Sequence, residues 1–109
     1  VDELLGPHVT RSWVTDLPPV ETEFAGPLTD AMAAALRTED PTAETVPYML
    51  SGGTDAKAFA ELGMACFGFA PLRLPPDLDF ASLFHGIDER VPVDALQFGT
   101  RVLDTFLRS

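Results

Sequence analysis

A single cysteine, Cys66, excludes a disulfide framework within the 109 residues. It lies in the apolar run Met64-Ala65-Cys66-Phe67-Gly68-Phe69, which reads as buried. That run offers neither the base nor the electropositive setting that a nucleophilic thiolate needs. Basic residues are scarce as well: seven Lys and Arg face seventeen Asp and Glu, for a formal net charge of -10. So few cations give little means of displacing phosphate counterions, which argues against nucleic acid as a partner and leaves the acidic excess as an aid to solubility. No apolar run approaches the roughly 20 residues that cross a bilayer, and Val1-Asp2-Glu3 lacks the basic and apolar regions of a signal peptide. A cytoplasmic setting without a membrane partner is therefore expected. Histidine is limited to His8 and His85. A catalytic zinc takes about three protein ligands and keeps one position open, so the chain is expected to hold only part of any such centre.

What is present suits one small packed domain. Hydrophobic residues make up 46% of the chain, enough for a core despite the charge, and two full domains do not fit in this length. The opening Val-Asp-Glu-Leu-Leu reads as the middle of a helix, and with the incomplete metal site it leads to the expectation of a fragment.

Along the chain, residues 1–5 read as a helical end stopped by Gly6 and Pro7. Residues 9–15 alternate partly around Trp13 and read as a strand, broken by Pro18 and Pro19, with a hinge over residues 18–26. The spacing predicts helices over 27–37, with Thr29 or Asp30 near the start, over 54–62, ended by Gly63, and over 93–107. Leu96, Val102, Leu103, Phe106 and Leu107 recur at helical spacing in the last and are expected to form its core face. Residues 45–50 and 64–69 read as short strands, and the proline-rich stretch 70–84 as a loop delivering His85. Alternating strands and helices predict an α/β layered fold.

Two stretches suggest chemistry. In Ser51-Gly52-Gly53-Thr54-Asp55-Ala56 the glycines permit close approach of a ligand, and Thr54 or Asp55 caps a helix whose free N–H groups favour a carboxylate or phosphate; a plain capped turn fits the same residues. In His85-Gly86-Ile87-Asp88-Glu89-Arg90-Val91 the imidazole is a candidate metal ligand whose other nitrogen Asp88 or Glu89 could hold. A capping or core histidine, with the acids complementing the dipole of the helix near Val93, fits it too. His8, Lys57, Arg73 and Arg90 have plain surface or ion-pairing uses, and Asp55 and Glu61 have no setting that predicts a catalytic role.

Taken together, residues 51–59, then Cys66-Phe67-Gly68-Phe69-Ala70-Pro71, then residues 85–91 resemble, in that order, the C-terminal part of the M20 metallopeptidases, the aminoacylase, carboxypeptidase and succinyl-diaminopimelate desuccinylase group. The resemblance implies a zinc-dependent peptidase or amidohydrolase cleaving peptide or N-acyl amide bonds. Its fold would be α/β, the returning C-terminal half of the catalytic domain, with a mixed sheet and packed helices. Residues 1–22 would be the end of the inserted lid or dimerisation domain and hinge, and residues 23–109 the catalytic half. It makes His85 the last ligand of a two-metal zinc centre and places Gly53 and Thr54 at the substrate carboxylate. The remaining ligands and the general-base glutamate belong to the N-terminal half, so no catalytic residue falls here, and that half of the enzyme is the implied partner beside a homo-oligomeric copy. Pro92 departs from the serine-like cap of many relatives but fits helix initiation. The competing expectation is a non-catalytic binding or assembly module that keeps the fold and uses the glycine turn for an anion.

Overall fold

The computed structural model describes residues 2–50 and 52–109, so the expectations at Val1 and Ser51 lie outside the described residues. Its elements in chain order are α1 (Asp2–Leu5), α2 (Pro27–Glu39), α3 (Ala56–Glu61), a 3₁₀ turn (Ala81–Leu83) and α4 (Val93–Leu107). They fall into two compact units, one of Val1–Thr22 and Ser51–Cys66, the other of Glu23–Leu50 and Phe67–Ser109.

The first unit has little regular structure. α1 is a single turn, ended by Gly6 at φ 71, the left-handed stop that its sequence predicts. Trp13 is exposed, with the Arg11 guanidinium 4.2 Å over its ring. α3 spans six residues and buries none of them before Gly63, at φ 77, ends the turn.

The second unit holds the core. α2 starts cleanly because Gly26, at φ 110, takes a conformation other residues avoid and Pro27 supplies a preset helical φ. Thr29 does not cap the helix from its side chain: it is buried, and its hydroxyl donates back to the Gly26 carbonyl at 2.8 Å. At the far end Asp40 closes a turn by accepting from the Thr42 amide at 3.1 Å and hydroxyl at 2.7 Å. Those bonds hold the Asp40 carboxyl below its ordinary value, with the Arg73 charge adding in the same direction.

α2 packs on α4 through Ala35, Phe98 and Val102, with Leu36, Phe69 and Phe106 around them. The Phe69 and Phe106 rings meet edge to face at 5.6 Å. Small residues set the approach. Ala33, Ala35 and Ala95 are buried, and Gly99 lies so close to the chain at residue 71 that an added Cβ would sit 2.7 Å from the Pro71 carbonyl oxygen. Gly99→Ala is therefore expected to lower stability. Overpacking against backbone costs about 1–3 kcal/mol, whereas the helix-propensity gain is at most about 1 kcal/mol. Chemical denaturation would read the difference; an alanine variant as stable as the parent would show that the 71–72 segment yields freely. At the rim, Arg101 Nε donates to Glu39 Oε2 at 2.6 Å, joining α4 to the end of α2 across 62 positions.

Two expectations are corrected. There is no strand among the described residues, so the α/β fold with a mixed sheet does not hold: the structure is helical, and residues 9–15, 45–50 and 64–69 are irregular. β-Branched and aromatic composition marks a segment that suits a pleated surface. A strand, however, exists only through ladder bonds to a neighbour. Val46, Tyr48, Met49 and Leu50 are exposed instead of paired into a layer. The core face of α4 also differs. Val102 and Phe106 turn inward as expected, but Leu96, Leu103 and Leu107 are exposed, while Ala95, Phe98 and Gly99 complete the buried face. α4 carries two apolar stripes about a third of a turn apart, and the core is built on the one with Phe98 and Val102.

Candidate functional site

His85 stands at the end of a locally built loop. Asp79 opens it by accepting the Ser82 amide on Oδ1 at 3.3 Å and the Ser82 hydroxyl on its carbonyl at 2.8 Å. This winds residues 81–83 into the 3₁₀ turn, and the Phe80 and Phe84 rings, four residues apart, meet edge to face at 5.0 Å. The Gly86 amide then donates to the Leu83 carbonyl at 3.0 Å and closes the turn around His85. Within it His85 has φ 57, the left-handed region, and is the one described non-glycine residue there. Histidine tolerates this region better than most residues, though still at a cost.

The side chain of His85 is exposed and makes no hydrogen bond or ion pair with a described residue. Asp88 is engaged elsewhere, since the Arg90 guanidinium pairs with its carboxylate and also donates to its carbonyl at 3.0 Å. Glu89 is exposed and makes no hydrogen bond or ion pair with the imidazole. The ion-pairing use of Arg90 is thus realised with Asp88, and the holding of the imidazole by either acid is not.

Gly53 and Thr54 belong to the other unit. Both are exposed, and the Thr54 carbonyl accepts the Lys57 amide at 3.3 Å as α3 begins. Asp55 takes the N-cap position without a side-chain bond to the helix, so the capping hydroxyl or carboxylate is not in use. Cys66 is half-buried, not buried as its run suggests, with its thiol 3.7 Å from the Met64 carbonyl.

Two grooves in the second unit flank α2. One, of about 530 Å³, is lined by Gly26, Asp30, Arg37 and Thr45 among others; the other, of about 320 Å³, by Met32, Leu36, Val46, Phe67 and Phe69. Neither is lined by His85. The described residues bring together no group of three His, Cys, Asp or Glu able to hold a metal ion. His85 suits one donor to a metal, being exposed and uncommitted, and the described residues supply no set around it. The Asp79–Ser82 bonds and the Phe80–Phe84 pair were missed by the sequence reading, although the Asp-x-x-Ser and Phe-x₃-Phe spacings were there to be read.

Residues 7–109 match Peptidase family M20/M25/M40, and the chain belongs to that family. No curated protein and no solved structure matches it. Membership points to a metallopeptidase-family domain with hydrolase chemistry, in a family whose enzymes are generally metal-dependent. No described helix is long and apolar enough to cross a membrane.

Proposed function

We propose that this chain is the C-terminal part of an M20-type zinc-dependent peptidase or amidohydrolase that cleaves peptide or N-acyl amide bonds, and that it is inactive alone. The family match over residues 7–109 carries the reading. His85 is the ligand this chain gives to a two-metal centre, and Gly53 and Thr54 approach the carboxylate of the substrate. Metal ions held in part by His85 would supply a nucleophilic hydroxide and polarise the scissile carbonyl. The remaining ligands and the general base come from the N-terminal half, which is the partner of this segment. Residues 1–22 belong to the lid and hinge and residues 23–109 to the catalytic half.

The test is hydrolysis of N-acyl amino acids and dipeptides by the protein expressed from its complete reading frame, after chelation and after return of zinc, cobalt or manganese. Turnover that disappears with chelator and returns with metal is expected. A protein that binds such ligands without hydrolysing them under any metal would favour the binding-module reading.

The same reading includes a homo-oligomer. Val46, Tyr48, Met49 and Leu50 form an exposed apolar run, and such patches mark contact surfaces. Sedimentation velocity of the chain at micromolar concentration is expected to show species above the monomer. A monomer that persists across a dilution series would refute the oligomer.

A further inference from the structure

His85 is held in a left-handed backbone although it carries a side chain, and such a residue persists only where its surroundings fix it. The bond that fixes it from the C-terminal side is the one from the Gly86 amide to the Leu83 carbonyl. Gly86 does not have a positive φ, so conformational freedom is not what the position demands. Space is: a Cβ on residue 86 would lie 3.1 Å from the Leu83 carbonyl oxygen and 3.7 Å from its carbon, against the acceptor that closes the turn. Any side chain there presses on that bond. If the bond lengthens, His85 can relax to the ordinary negative φ, which swings its Cα–Cβ direction and with it the imidazole.

We propose that Gly86 is a positioning residue for His85: its missing side chain keeps the 83–86 turn closed, and the closed turn sets the direction in which His85 offers its ring to a metal ion. The inference rests on the reading of His85 as a ligand given above. It is separate from the ligand itself, because Gly86 touches neither metal nor substrate.

The experiment uses the protein from its complete reading frame and follows cobalt(II) binding by visible absorption, with Gly86→Ala and His85→Ala beside the parent. Gly86→Ala is expected to weaken cobalt binding by about 10–100-fold, as other changes to groups that orient a ligand do. Amide hydrogen exchange at residue 86 should become about fivefold faster, as for loss of one hydrogen bond, with the melting temperature unchanged. Cobalt affinity unchanged in Gly86→Ala but lost in His85→Ala would overturn the positioning role and leave the ligand reading standing. Affinity unchanged in His85→Ala would overturn the ligand reading and the positioning role together. Unfolding of the whole protein by Gly86→Ala would also contradict the proposal, by making the turn part of the core.

Discussion

Phe98→Ala is expected to leave the chain without a cooperative thermal transition. Phe98 is 6% exposed, and the other buried hydrophobic residues among those described are Ala33, Ala35, Ala95 and Val102. Its ring is therefore the largest apolar group in a core otherwise built of small ones. Truncating a buried phenylalanine costs about 3–5 kcal/mol. Whole domains are stable by about 5–15 kcal/mol, and a core this small belongs at the lower end of that range. Leu107→Ala serves as the control. Leu107 is 78% exposed on the same helix, so its truncation should change stability by no more than about 0.5 kcal/mol. Circular dichroism during heating distinguishes the two, and a Phe98→Ala variant that melts sharply near the parent temperature would show that the core lies elsewhere.

His85→Ala is expected to lower turnover by about 100-fold or more in the protein from the complete reading frame. Groups that merely orient a metal ligand cost 10–100-fold when removed, roughly the floor for the ligand itself. Stability should not follow. The His85 side chain is exposed and removing it breaks no hydrogen bond or ion pair with a described residue. The informative pattern is thus a collapse of kcat/KM with an unmoved melting curve. Retained turnover would mean that this histidine is a surface residue on a well-made turn.

Local signals in the sequence translated into structure; non-local ones did not. α4 spans Val93–Leu107, the range its spacing predicts, and the left-handed stops at Gly6 and Gly63 are present, because each depends on a few adjacent residues. α2 begins at Pro27 for the same reason and runs to Glu39, two residues beyond the expected Arg37. That residues 45–50 and 64–69 form no sheet was not legible. Residues 45–50 and 64–69 have the composition of strands, but composition cannot supply the neighbour whose N–H and C=O groups make a ladder. The choice between the two stripes of α4 was hidden too. Leu96, Leu103 and Leu107 form an apolar stripe of their own, yet the stripe with Ala95, Phe98 and Val102 is the buried one, and Gly99 on it admits the backbone of Pro71.

At the site, the sequence singled out His85, and the structure sets it with Gly86 in a definite turn. The partner expected for the imidazole was misplaced because Asp88 has a nearer cation: Arg90, two residues on, takes both its carboxylate and its carbonyl. Gly53 and Thr54 were found for their glycine-rich pattern, and their exposure leaves them open to a ligand without adding a built site around them. The missed elements, Asp79 with Ser82 and Phe80 with Phe84, are the supports of the turn. They are weak sequence signals because each spacing is common in loops that support nothing.

The proposed role of this chain is to contribute one ligand to a metal centre without holding the metal alone. Calorimetric titration of the 109-residue chain with zinc tests it most directly. One imidazole without chelating partners gains little over the hydrated ion, so no stoichiometric site tighter than about micromolar is expected. A submicromolar site of one zinc per chain would contradict it, and its survival in His85→Ala would show that the metal is held by residues other than the one assigned here.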